Sequence, residues 1–183
     1  MLLPKSETIV LAGGCFWCLD AVYSQVRGVM SVESGYANGH LPQPSYEQVC
    51  TGMSGHAEVV QVEFDTRQIS LHEILQIFFV IHDPTTLNFQ GHDHGTQYRS
   101  GIFFLDVIQR DTAQGLLQEL KTSGVYQRPI VTELAPLASY WPAEDYHQDF
   151  FARNPNHGYC LAVAVPKVDK FRKTFARLRS KPS

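Results

Sequence analysis

Apolar positions change their period several times along the chain, and each change marks an element. Thr8, Ile9, Val10 and Leu11 form a short run suited to a buried strand, after which Leu19, Ala21, Val22 and Val26 recur at helical spacing. Met30 to Tyr36 alternates and predicts a second strand, followed by a polar loop over 37–45 and a short helical turn from Tyr46 through Val49. The alternation of His56 to Phe64 is stricter. It puts His56, Glu58, Val60, Val62 and Phe64 on one face of a strand and Ala57, Val59, Gln61 and Glu63 on the other. Ser70 is placed to cap a helix running to about His82, with Glu73 three residues on as its capping-box partner.

Asp83 to Ser100 has no period and is rich in Thr, Asn, Gln, Gly and His; an irregular segment of that length more often serves function than stability. Beyond it the pattern predicts a strand Ile102–Leu105, a helix Asp111–Lys121, a strand Ile130–Leu134, a helix Ala143–Phe151, a strand Leu161–Val165 and a C-terminal helix. Strands alternating with helices predict an α/β (α+β) sandwich, a central mixed sheet covered by helices. With 183 residues, 44% of them hydrophobic, the chain can bury one well-packed core, and no linker divides it, so a single domain over 1–183 is expected.

Charge changes the picture only at the C-terminus. The net charge is −3, but from Lys167 onward seven basic residues (Lys167, Lys170, Arg172, Lys173, Arg177, Arg179, Lys181) face Asp169 alone, leaving the rest near −9. Val168, Phe171, Phe175 and Leu178 recur there every three to four residues. The basic segment is therefore read as a docked amphipathic helix with a solvated face, and neither nucleic acid nor a membrane is an expected partner. No stretch has the length of a membrane span or the apolar region of a secretory signal, and a cytoplasmic monomer is the expectation.

The candidate chemistry centres on Gly13-Gly14-Cys15-Phe16-Trp17-Cys18, at the predicted strand-to-helix junction. Four cysteines, with only Cys15 and Cys18 close together, suit neither a disulfide scaffold nor a paired zinc site. A cysteine at the start of a helix meets unpaired N–H groups and the positive dipole end. Both favour its thiolate, which predicts a lowered pKa and a nucleophile at Cys15. Glu58 shares its strand face with three large apolar residues, so burial should raise its pKa and keep it protonated, as a general acid requires. His92-Asp93-His94 has no fixed spacing to aim metal ligands, and no metal is expected.

Gly14-Cys15-Phe16-Trp17 resembles the signature of the A-type peptide methionine sulfoxide reductases. Gly55-His56-Ala57-Glu58, His82 to Thr86, Gly91 to Ser100 and Trp141 to Gln148 are similar to further blocks of that family, in the same order, so the resemblance spans nearly the whole chain. It implies a thiol-dependent reductase that converts methionine S-sulfoxide, free and in proteins, to methionine, with no bound cofactor and thioredoxin as external reductant. It also implies the roles: Cys15 as nucleophile, Phe16 and Trp17 as the methyl pocket, Glu58 as proton donor, and Tyr46, Asp93 and Tyr98 as holders of the oxygen and the substrate backbone.

Recycling is where the chain departs from the family pattern. Cys18 stands where a glycine is common, and a Gly-rich tail with a recycling cysteine is lacking. Cys18, one turn beyond Cys15 on the same face, is the favoured resolving thiol. Cys160 matches a resolving position in some relatives but precedes an apolar run expected to be a strand. Cys50 is expected in the core. Two other readings stay open: a thioredoxin-like disulfide oxidoreductase, whose tryptophan would usually precede the first cysteine, and a cysteine hydrolase, for which eight histidines offer a base without pointing to one.

Overall fold

The computed structural model describes residues 6–180. The chain begins with β1 (Ser6–Gly13), α1 (Phe16–Tyr23), β2 (Val29–Ala37), α2 (Tyr46–Cys50), β3 (Ala57–Asp65) and α3 (Leu71–Ile81). A small hairpin, β4 (Phe89–Gln90) and β5 (Asp93–His94), lies inside the segment expected to be irregular. There follow β6 (Ser100–Phe104), α4 (Val107–Ser123), β7 (Glu133–Pro136), β8 (Tyr140–Pro142), α5 (Phe150–Arg153) and α6 (Val165–Thr174).

The main sheet has the order β7-β6-β1-β3-β2-β8, and only the β6–β7 pair is parallel. It is the expected mixed sheet. Ile9 to Ala12 of β1 are wholly buried because β3 and β6 flank that strand and both of its faces are covered. On one face Leu11, Val60, Val62 and Phe64 meet Leu19, Ile74, Phe78 and Phe171 of the helices. On the other, Val10, Ala12, Ala57, Val59 and Phe103 form a smaller cluster under Leu137 and Tyr140. The capping box of α3 is present: Ser70 Oγ accepts from the Glu73 amide at 3.2 Å and Glu73 Oε2 from the Ser70 amide at 3.1 Å. The basic segment docks through Val168, Phe171 and Leu178, all buried; Lys181 lies outside the described residues.

Four expectations need correction. Leu161–Val165 is not a strand: Cys160–Ala164 is a π-helical turn running directly into α6. An apolar run of five does not separate strand from buried helix, and here Cys160 and Ala164 turn inward while Leu161 is 53% exposed. The helix expected over Ala143–Phe151 is broken into a 3₁₀ turn at Asp145–His147 and the short α5. Gln148 between them is extended, its carboxamide bonded to both the N–H and the C=O of Ser34 at 2.8 and 2.9 Å, and Asp149 is left-handed at φ 51°. The strand expected at Ile130 starts three residues later, since the Val131 amide is engaged by the Pro84 carbonyl at 2.8 Å. Cys50, expected in the core, is exposed at the end of α2.

Candidate active site

The site begins with a backbone constraint. Gly14 has φ 91°, and a Cβ there would lie 2.8 Å from Gln90 Cγ, so the turn from β1 into α1 admits only glycine. That turn delivers Cys15 as the N-cap residue of α1, with Phe16, Trp17 and Cys18 forming the first helical turn. Phe16 N–H is one of the helix's unpaired donors, and it donates to Glu58 Oε1 at 3.2 Å. Glu58 comes from β3, opposite Tyr36 of β2, and is 1% exposed. Its Oε2 is buried and has no partner among the described residues. Desolvation, only partly offset by the Phe16 N–H, pushes the Glu58 carboxyl up to about 8, so it is protonated at neutral pH.

The thiols do not follow the expectation from helix position. Cys15 is pushed well up: burial dominates, followed by its hydrogen bond to Cys18 and the nearby Glu58. Cys18 is lowered, first by that same hydrogen bond from Cys15, then by the Lys167 charge and Tyr159. Burial therefore favours the thiol form of Cys15, and the helix-start effect loses to desolvation. Cys18 also reaches Tyr159 Oη at 3.8 Å, and Tyr159 in turn donates to the Asp93 carboxylate. Cys160, next to Tyr159, is buried, and its thiol is raised by burial and then by Cys18. Three cysteines thus converge on the first turn of α1.

Aromatic rings line the other side. Phe16 is wholly buried between Tyr36 (5.7 Å) and His147 (5.0 Å). Trp17 stacks on Phe150 at 3.7 Å, its edge faces Tyr159, and its indole N–H donates to His147 Nδ1 at 3.0 Å. Tyr46 opens α2 with its ring 4.6 Å from His147. Burial and then Glu58 push both Tyr46 and Tyr98 above the usual phenol range, so both remain hydroxyl donors close to the carboxyl. Glu144 ties this side together. It accepts from Tyr36 Oη at 2.8 Å and from the Tyr46 amide at 3.2 Å.

The structure therefore brings Cys15, Cys18, Glu58, Phe16, Trp17, Tyr46, Asp93, Tyr98 and Cys160 into one neighbourhood. Tyr36, Glu144, His147, Phe150 and Tyr159 belong to it as well. Glu144 and His147 lie in the Trp141–Gln148 block and Tyr159 directly before Cys160, but the sequence attached no role to their side chains, and Tyr36 and Phe150 lie in neither stretch. In the His92-Asp93-His94 stretch Asp93 serves Tyr159 and His94 stacks on Phe89, and among the described residues no three or more His, Cys, Asp and Glu side chains are grouped so as to hold an ion. A cavity of about 1120 Å³ lies between α3 and α6 and includes neither Cys15 nor Glu58.

A nucleophile-capable sulfur, a neutral carboxyl and two phenols in one neighbourhood can transfer protons to an oxygen while the sulfur attacks its neighbour. The family model for peptide methionine sulfoxide reductase matches residues 7–179. The chain belongs to that family. It is 54% identical over 176 residues to the peptide methionine sulfoxide reductase MsrA of Polynucleobacter asymbioticus, covering 96% of this chain and 93% of that one. Among solved structures it is similar to Mxr1 of Saccharomyces cerevisiae in reduced form, with a TM-score of 0.76 and 36% identity over 83% of this chain and 87% of that one. It is also similar to Mxr1 in complex with Trx2, with a TM-score of 0.55 and 25% identity over 82% and 88%. Membership in the reductase family sets aside the thioredoxin-like and hydrolase readings. Among the described residues no helix is long and apolar enough to cross a membrane.

Proposed function

We propose that the protein reduces methionine S-sulfoxide, free and in proteins, with Cys15 as nucleophile and Glu58 as proton donor. The observation that carries this reading is the Glu58 carboxyl: protonated, near Cys15, tied to the helix start through Phe16 N–H, and with its second oxygen unpartnered among the described residues. The Cys15 sulfur attacks the sulfoxide sulfur while Glu58 protonates the oxygen, with Tyr46 and Tyr98 donating hydrogen bonds to it. The new bond between the two sulfurs and the S–O bond then break as the oxygen passes to the Cys15 sulfur, and the Cys15 thiol proton replaces the one that Glu58 gave. Methionine departs with its sulfur reduced by two electrons, and Cys15 is left as a sulfenic acid. Phe16 and Trp17 supply the apolar wall for the methyl group, and Asp93, held by Tyr159, faces the substrate backbone.

Cys18 then condenses with the sulfenic acid, releasing water and forming a disulfide. The placement of both residues at the start of α1 supports this choice, as does the lowered Cys18. Cys160 is the alternative, and its position on a helical turn beside Tyr159 brings it nearer this chemistry than a strand would. A dithiol protein of the thioredoxin class reduces the disulfide, in keeping with the similarity to a Mxr1 structure bound to Trx2. We further propose a single domain over 1–183, acting as a cytoplasmic monomer without bound cofactor or metal. Turnover of resolved S and R sulfoxides with thioredoxin, its reductase and NADPH tests the reading. Consumption of the S epimer alone supports it, and indifference to the epimer or no turnover refutes it.

A further inference from the structure

His147 is buried at 1% exposure among Phe16, Trp17, Tyr46 and Tyr146, and has no part in the chemistry described so far. Its ring nitrogens are inequivalent. The Trp17 indole nitrogen can only donate, so His147 Nδ1, 3.0 Å away, must be an unprotonated acceptor. A neutral imidazole then carries its proton on Nε2, which is buried and unpartnered among the described residues. An orphaned donor in a packed site is costly, and it persists where the other nitrogen is needed. Burial also pushes the imidazole below its usual pKa, which keeps the acceptor free.

The 3₁₀ turn that ends at His147 is itself held. The His147 amide bonds to the Glu144 carbonyl at 2.9 Å, and the Glu144 side chain is anchored to Tyr36 and to the Tyr46 amide. This buttress fixes the imidazole relative to β2 and α2, and the imidazole fixes the indole. Phe150 stacking constrains the plane of Trp17 but leaves it free to rotate within that plane; a hydrogen bond at the indole edge removes that freedom. From the hydrogen bond and its orphaned counterpart, we infer that His147 is a positioning residue, locked as the Nε2–H tautomer, that sets the orientation of Trp17 and so the shape of the methyl wall. The inference rests on the reading of Phe16 and Trp17 as that wall.

A wall that touches the methyl group before and during attack contributes about equally to substrate and transition state, so its loss should appear in KM rather than kcat. The protein has two tryptophans, and a Trp141→Phe background isolates Trp17. In that background His147→Phe should raise KM for a methyl sulfoxide about tenfold with kcat within about threefold, and shift Trp17 emission as the indole loses its partner. His147→Asn, whose Oδ1 takes the place of Nδ1, should restore both. Unchanged KM and emission in His147→Phe, or equal defects in the two variants, overturn the inference. If His147→Phe does not fold, imidazole ¹⁵N shifts of the unsubstituted protein decide: a proton on Nε2 is expected, and one on Nδ1 overturns it. Loss of all turnover by the unsubstituted protein would instead indict the reading of function.

Discussion

The Phe16 amide donates to one oxygen of Glu58 at 3.2 Å and the other has no partner among the described residues, so the residue after the nucleophile also holds the acid. The two lie 42 positions apart, and sulfur and proton donor are placed by a single contact between a helix start and a strand. If Glu58 delivers a proton as the oxygen leaves, Glu58→Gln should keep a hydrogen-bond donor and part of the rate. Glu58→Ala should lose on the order of 10²-fold or more in the reductase step. Single-turnover methionine formation measures both, and an alanine variant near the wild-type rate would leave Glu58 a structural residue.

The same group predicts a pH dependence of stability. Its carboxyl is raised from 4.5 to about 8 in the folded protein. Between those values the unfolded chain ionises Glu58 and the folded one does not, so the residue costs stability increasingly as pH rises through that window, and the cost levels off above about 8. Glu58→Gln should therefore melt several degrees higher than wild type at pH 7, with the gap closing toward pH 4. Melting curves across that range check it. A variant equally stable or less stable at every pH would contradict the burial account.

The disulfide formed after one turnover should join Cys15 to Cys18. Both sit at the start of α1, and Cys18 is the lowered partner, whereas Cys160 is held up by burial. Oxidation with one equivalent of substrate, digestion without reductant and mass spectrometry identify the bridge. A dominant Cys15–Cys160 peptide, with Cys18→Ser still recycled by thioredoxin, would transfer the role to Cys160.

What the sequence reveals follows the range of the forces involved. The Ser70–Glu73 capping box involves residues three apart and is present as expected. Glu58 was legible because strand alternation alone puts it beside Val60 and Val62, and burial follows. The direction of the Cys15 shift was not, because a local effect, the helix start, is outweighed by surroundings contributed from β3 and the Cys18 side chain. His147 and Trp17 are 130 positions apart, and Tyr159 and Asp93 are 66 apart, so neither pair has a local signal. Gln148 breaks its predicted helix for the same reason, by bonding to Ser34 across 114 positions. The strand expected at Leu161–Val165 failed on period: five apolar residues fit a strand as well as a buried helical turn.

The most direct test of the account isolates the first chemical step. A variant with Cys18, Cys50 and Cys160 replaced by alanine retains Cys15 as its sole thiol. Mixed with excess methionine S-sulfoxide and no reductant, it should form one methionine per protein molecule and carry a single added oxygen, trapped as a sulfenic acid adduct, on the peptide holding Cys15. No methionine from that variant, or methionine from Cys15→Ser under the same conditions, would contradict the claim that Cys15 takes the oxygen.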